Sequence, residues 1–352
     1  MDTRLKDVLE SALSREELSR EDIMYLLSCE DKHSEDLIFE AARSMTERTF
    51  RGKVYTYGFV YFSTYCHNDC SFCYYRRSND IDRYRRTVEE VVDTSYALRD
   101  AGVNLIDLTM GEDPVAYRNE YAGLLHLVNA VNDAIELPIM VSPGVVASSV
   151  LPRLRAVGAD WYACYQETHN RELFRRLRTD QDYERRFDIK KQAFSAGMLV
   201  EEGIMTGIGE TKEDIVDSVM IMRDSSLRQV RVMTFVPQSG APLVFNRHHQ
   251  SSELRIMAVL RLTNPDKLIP ASLDIEGISG LESRLNAGAN VITSIVPSDR
   301  SLAGVAQHEL DIDNGNRSPD HVYEVLDDLG YSTATGNEYN SFIEKWSVGG
   351  SR

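Results

Sequence analysis

Hydrophobic and polar positions follow two rhythms along this chain, and from residue 53 onward the two take turns. Short apolar runs of strand length occupy 54–62, 104–109, 137–142, 161–165, 199–206, 229–235, 267–274 and 290–295. Between them lie longer stretches whose apolar residues recur every three or four positions, at 88–100, 117–135, 183–195, 212–223 and 252–261. Gly102, Gly158 and Gly197 stand where such helices should end before the next strand. The first 50 residues read as amphipathic helices. Ser14-Arg-Glu-Glu and Ser19-Arg-Glu-Asp look like helix starts, and Ile23, Leu26 and Leu27 form an apolar stripe. Beyond Ser318 the pattern gives one more helix, 321–329, and then a polar tail.

Alternating strand and helix units over this length imply a parallel sheet, and eight of them imply closure. The expected fold is α/β: a (β/α)8 TIM-type barrel with an N-terminal helical extension. Residues 1–50 form the extension and 51–352 a single barrel domain, since no low-complexity or proline-rich linker interrupts them.

Cys66, Cys70 and Cys73, in the run Cys66-His-Asn-Asp-Cys70-Ser-Phe-Cys73, begin just after the first strand candidate. Three thiolates this close can wrap one iron–sulfur cluster. A four-iron cluster has four metal corners, so three protein ligands leave one iron open to a small molecule. A structural zinc would want four ligands, and His67 is too near Cys66 to complete a tetrahedron comfortably. Cys29 and Cys164, the other two cysteines, read as buried small hydrophobes.

Polar residues inside otherwise apolar strands are a second clue. Asp107, Arg231, Ser272 and Asp274 interrupt three of the runs, and buried charge is costly unless paired or used. Two acids, an arginine and a hydroxyl would suit a small zwitterion carrying an extra ammonium; the alternative is a structural Asp–Arg pair inside the barrel.

The cysteine spacing, with Phe72 before the last cysteine, resembles the signature of the radical S-adenosylmethionine (SAM) enzymes. That resemblance implies a [4Fe–4S] cluster on Cys66, Cys70 and Cys73. Its open iron would chelate SAM, and an electron from a donor such as flavodoxin or ferredoxin would release a 5′-deoxyadenosyl radical. Thr109-Met110-Gly111-Glu112-Asp113-Pro114 is similar to the family's glycine–glycine–glutamate element, with Met110 in place of the first glycine; the match makes Glu112 a ligand of the methionine amino group. Tyr165-Gln166-Glu167, followed by Arg178 and by Tyr183-Glu184-Arg185-Arg186, resembles the biotin synthase and hydrogenase-maturation branch. There the glutamate and a downstream arginine clamp the amino acid and ribose of SAM, which implies that role for Glu167 and Arg186, and for Arg178. Ser142, ending the third strand, is placed at cofactor or substrate. Gly207-Ile208-Gly209 would let backbone approach adenosine. Arg175, Arg176 and Arg185 read as surface charges.

Biotin synthase-like sulfur insertion uses a second cluster on further cysteines, and here only Cys164 is available. Over its whole length, through Gly336-Asn-Glu-Tyr-Asn-Ser-Phe-Ile, the chain is most similar to lysine-rearranging radical enzymes of pyrrolysine biosynthesis. This implies lysine as substrate, carbon-skeleton fragmentation and recombination, and a downstream enzyme as a further partner. Lysine's two ammonium groups and one carboxylate agree with Asp107, Asp274 with Ser272, and Arg231. Competing readings are a related radical enzyme acting on another amino acid, as in hydrogenase maturation, and a non-catalytic iron–sulfur sensor.

Composition narrows the setting. A formal charge of −16 over 352 residues argues against a broad nucleic-acid footprint. No apolar run approaches the roughly 20 residues needed to span a bilayer, and the N-terminus has no apolar signal core. Few cysteines, three of them in one triplet, point to a reducing cytoplasm, and the cluster to an anaerobe.

Overall fold

The computed structural model describes residues 3–244, 252–297 and 316–347. Eight strands appear where the apolar runs place them: β1 (Lys53–Ser63), β2 (Leu105–Met110), β3 (Ile139–Ser142), β4 (Ala159–Ala163), β5 (Leu199–Thr206), β6 (Gln229–Thr234), β7 (Pro270–Ser272) and β8 (Val291–Ile295). All pair in parallel, in the order β6-β5-β4-β3-β2-β1-β8-β7. The remaining seam closes only at the base, where the Val230 amide donates to Leu268 O at 3.0 Å and the Leu268 amide to Arg228 O at 2.9 Å. Above that bridge no further ladder joins β6 to β7 among the described residues, so the barrel is slightly open towards its C-terminal face.

Strand β1 shows how the pattern becomes a barrel. Tyr55, Tyr57, Phe59 and Tyr61 point inward, whereas Val54, Val60 and Phe62 face the helices. Gly58 faces outward too, and a Cβ on it would lie 2.9 Å from Leu98 Cδ1. That missing side chain lets α4 (Val88–Asp100) press onto the strand. Helices α5 (Arg118–Ile135), α8 (Tyr183–Ser195), α9 (Lys212–Asp224) and α10 (Ser252–Thr263) match the helical periodicities. Three short helices, α6 (Leu151–Ala156), α7 (Arg171–Leu177) and α11 (Leu281–Asn286), have too few turns to show a period.

The N-terminal extension is helical, as expected: α1 (Thr3–Leu13), α2 (Arg20–Ser28) and α3 (Lys32–Phe50). Helix α2 packs on α9, and α3 on α10 and α11. Ser19 caps α2 in a reciprocal box with Asp22. Ser14, in contrast, starts nothing. Its amide still bonds to Glu10 O at 3.0 Å, and Arg15 follows in the left-handed region.

The polar tail is the larger correction. Past the helix Pro319–Asp328, a two-residue strand β9 (Ser332–Thr333) pairs with β1, and the helix Gly336–Trp346 follows. Its Tyr339, Phe342 and Ile343 enter the barrel's lower core beside Tyr55, Tyr57 and Trp161. The tail is therefore a plug. Among the described residues no helix is long and apolar enough to cross a membrane.

Candidate active site at the C-terminal face of the barrel

The cysteine triplet leaves the top of β1, at the end where barrels of this kind place their chemistry. Its loop is stitched to the end of β2. The His67 amide donates to Glu112 O at 3.0 Å, and the Gly111 amide to Ser63 O at 2.8 Å. A Cβ on Gly111 would sit 2.3 Å from Tyr65 O and 3.1 Å from Cys66 Cβ, so glycine is required for the two segments to meet. Asp113 accepts from Ser63 Oγ at 2.6 Å and from Arg85 Nε at 2.6 Å, while Arg85 stacks on Tyr65 at 3.6 Å. Further along, the Arg83 guanidinium donates to four backbone carbonyls, of Thr64, Tyr75, Arg76 and Asn79. The loop is held from both ends.

Cys70 is buried, and Cys66 and Cys73 are half-buried. Burial pushes the Cys66 thiol up to about 11, and burial together with Cys70 and Cys66 raises that of Cys73 well above the usual thiol range. Cys66 and Cys73 thus resist becoming thiolates alone; a positively charged metal centre removes that resistance. Donors already face the sulfurs. Gln181 Nε2 lies 3.1 Å and Arg178 Nη1 3.6 Å from Cys70 Sγ, and the Asn68 amide donates to Cys66 Sγ at 3.4 Å. Such contacts tune an iron–sulfur centre. The set fits a cluster. Cys29 and Cys164 are buried elsewhere, as expected of core thiols.

Beside the cysteines, two buried ion pairs cross between elements. Arg186, on α8, donates through Nη1 to Glu112 Oε1 at 2.9 Å and through Nε to Tyr165 O at 2.7 Å. Burial works against the Glu112 carboxylate, yet Arg186 holds it below its usual range. Arg178, just past α7, donates to Glu167 Oε1 at 2.5 Å. The pairing is thus Glu112–Arg186 and Glu167–Arg178. Glu167 itself sits at φ 67°, and its Oε2, like Arg178 Nε, is buried without a hydrogen-bond partner among the described residues. An unsatisfied carboxylate oxygen and an unsatisfied guanidinium N–H, side by side near Cys70, suit a ligand with an ammonium and a carboxylate. The Gly207–Gly209 turn offers less to adenosine than its glycines suggest. Glu210 accepts from the amides of Gly207 at 2.8 Å and Ile208 at 2.9 Å. Arg175, Arg176 and Arg185 are exposed.

A cavity of about 180 Å³ runs from Cys73 and Phe72 down to the polar strand residues, where Asp107, Ser142, Arg231 and Asp274 line it. Ser272 does not. It sits behind Asp274, donating to Oδ2 at 3.0 Å, while Ser294 donates to the same oxygen at 2.8 Å. Asp274 Oδ1 takes a hydrogen bond from buried Arg317 at 2.9 Å. Asp107 accepts from Thr109 Oγ1 at 2.8 Å, with Ser142 Oγ at 3.5 Å. Burial, reinforced by the neighbouring Glu201 charge, raises the Asp107 carboxyl to about 7.

Arg231 is pinned rather than free. Its Nε donates to Glu201 Oε1 at 2.5 Å, and its guanidinium lies 5.2 Å from the Tyr165 ring centroid. Glu201 and Arg317 were missed by sequence reasoning. Glu201 carried the signal that revealed Asp107, a charge within an apolar strand; Arg317 lies outside every strand run.

This combination, a near-closed parallel barrel with a three-cysteine loop above its first strand, defines a radical enzyme class. The radical SAM superfamily model matches residues 60–220, and the chain belongs to that superfamily. Within it the chain belongs with the 3-methylornithine synthases. That of Methanosarcina acetivorans is 43% identical over 93% of both chains. A crystal structure of methylornithine synthase aligns with TM-score 0.92 and 41% identity, covering 95% of this chain and 99% of that one. The [FeFe] hydrogenase maturase subunit HydE of Thermotoga maritima is 28% identical over 82% of both chains.

Proposed function

We propose that this protein is a radical SAM mutase that rearranges L-lysine to (3R)-3-methyl-D-ornithine for pyrrolysine biosynthesis. The observation that carries the reading is the full-length likeness to 3-methylornithine synthase, joined to a cavity whose charged lining suits a diamino acid. When bound, a [4Fe–4S] cluster on Cys66, Cys70 and Cys73 together with SAM supplies a carbon-centred radical able to take hydrogen from an unactivated C–H bond.

The chain's own residues hold the reactants. Glu112 and Arg186, with Glu167 and Arg178, present two carboxylates and two guanidinium forks to the amino-acid end of SAM. Ser142, which lines the cavity, serves SAM or substrate. Arg231 receives the lysine carboxylate. Asp107 and Asp274 receive ammonium groups, Asp274 with its charge already shared with Arg317 and with Ser272 setting its orientation. The apolar walls, Phe59, Phe72, Met205 and Phe235, keep water from the reacting carbon. The electron comes from a small carrier such as flavodoxin or ferredoxin, and the setting is an anaerobic cytoplasm.

The test is anaerobic turnover of reduced holoenzyme with SAM and isotopically labelled lysine, read by mass spectrometry. Labelled 3-methylornithine with 5′-deoxyadenosine formation supports the reading. Formation of 5′-deoxyadenosine only with a different amino acid sinks lysine as substrate, and none under any condition sinks the radical chemistry.

A further inference from the structure

We propose that Glu201, which does not line the cavity, is a positioning residue that sets the charge of the substrate pocket and so selects an amino acid bearing one net positive charge. The proposal rests on the lysine reading above and deepens it.

Among the described residues, four charged side chains line the cavity: Asp107, Glu167, Arg231 and Asp274. Three have an opposite charge of their own. Glu167 is paired with Arg178 at 2.5 Å, Asp274 with Arg317 at 2.9 Å, and Arg231 with Glu201 at 2.5 Å. Asp107 has only hydroxyl partners among the described residues, Thr109 and the more distant Ser142. With the three pairs cancelling, an ionised Asp107 leaves the described lining one negative charge in excess, counted apart from the cluster and SAM. Lysine, with two ammonium groups and one carboxylate, matches that excess; a neutral amino acid does not.

Glu201 makes the count come out this way, and its surroundings show a built bracket rather than a chance contact. Its side chain is fully buried. One oxygen accepts from Arg231 Nε and the other from Tyr165 Oη at 2.9 Å. The Tyr165 ring in turn supports the guanidinium. Arg231 crosses β5 over Gly203, where a Cβ would lie 2.9 Å from Arg231 Cγ and 3.1 Å from the Tyr165 ring, so only glycine leaves room for the bracket. Of the three guanidinium nitrogens, Nε alone is hydrogen-bonded to Glu201. Neither terminal amine makes a hydrogen bond to nitrogen or oxygen among the described residues, and Nη1 has only Met233 Sδ, at 4.0 Å. A fork held by one edge offers the other edge to a carboxylate. The groups that face Asp107 are Glu201, Arg231, Asp274, Tyr165, Thr109 and Ser142. Removing the Glu201 charge makes ionisation of Asp107 easier while leaving the pocket one charge too positive for lysine.

The experiment compares wild type with Glu201→Gln, which keeps size and an acceptor for Arg231. Both are anaerobic holoenzymes with SAM bound, titrated calorimetrically with lysine and with norleucine, the same skeleton lacking the side-chain ammonium. The lysine-to-norleucine affinity ratio is expected to fall at least tenfold in Glu201→Gln. SAM affinity should stay within twofold of wild type. A ratio unchanged within twofold overturns the proposal. A second measurement needs no variant: at pH 6, in buffers of different ionisation enthalpy, lysine binding to wild type should release most of one proton as Asp107 ionises. Release of none overturns the charge count even if the variant fails to fold. If wild type binds no lysine, the lysine reading and this proposal fail together. Lysine turnover with an unchanged ratio overturns the Glu201 proposal alone.

Discussion

The hydroxyls of Tyr57 and Tyr339 lie 2.7 Å apart although 282 residues separate them in sequence. Tyr57 also donates to Gln229 Oε1 at 2.9 Å, so one buried contact joins the first strand, the sixth strand and the C-terminal helix. Removing only the hydroxyl, in Tyr339→Phe, should cost about 1 kcal/mol, the net worth of one hydrogen bond. Tyr339→Ala should cost about 3–5 kcal/mol, as for other large buried rings. Chemical denaturation measures both, and equal stability of wild type and Tyr339→Ala would show that the helix is not a plug.

Gly144 faces Glu112 as tightly as backbone allows. A Cβ there would lie 2.0 Å from Glu112 Cγ, and its φ of 75° is unfavourable for any other residue. Gly144→Ala should therefore displace Glu112 from Arg186 and weaken SAM binding at least tenfold without lowering iron content. Gly197→Ala is the control. It carries similar strain at φ 86° but meets nothing within 4 Å, so it should lose some stability and no SAM affinity.

Each of Cys66→Ala, Cys70→Ala and Cys73→Ala should abolish cluster binding and turnover, because the triplet has no spare ligand. Iron and sulfide analysis after anaerobic reconstitution checks this. Cys29→Ala and Cys164→Ala should retain iron near wild type; a loss of a quarter or more in either would mean the ligand set is wrong.

Arg178→Ala leaves Glu167 buried without its cation, and Arg186→Ala does the same to Glu112. Each should weaken SAM binding by about 1.5–3 kcal/mol, the range for a hydrogen bond to a charged group. Calorimetry on the reconstituted protein would show it, and unchanged affinity in both variants would remove these pairs from the cofactor site. Arg231→Ala, in contrast, should keep the cluster and SAM binding yet yield 5′-deoxyadenosine without 3-methylornithine.

Asp107 gives a pH dependence with a definite sign. Its carboxyl is raised by burial from 3.8 to about 7 in the folded chain, so the fold favours the protonated form. The stability this contributes is present at low pH and is lost as pH rises towards about 7. Asp107→Asn, neutral throughout, should gain stability relative to wild type from about pH 4 to about pH 7, with no further change above. Lysine use should run the other way, weakening below pH 7 because an ammonium needs the ionised carboxylate. Melting temperatures and kcat/KM over this range test the two signs independently.

Local signals in the sequence determined the eight strands and most of the long helices. Strands buried on both faces must be apolar throughout, and the helices between them must be apolar on one face only, so the rhythm alone separates them. The cysteine triplet was legible for the same reason, since three ligands within eight residues need no fold to bring them together. The C-terminal helix was legible in principle: Thr335 and Glu338 form a capping box, and Tyr339, Phe342, Ile343 and Trp346 make a stripe, but polar neighbours made it read as a tail. What tertiary structure alone decided is who pairs with whom. Arg186 with Glu112, Arg178 with Glu167, Arg231 with Glu201 and Arg317 with Asp274 join residues 11 to 74 positions apart. A buried charge advertises itself in sequence as a polar residue among apolar ones. Its partner is set by which strands lie side by side and which way each side chain alternates, and that exists only once the barrel has closed.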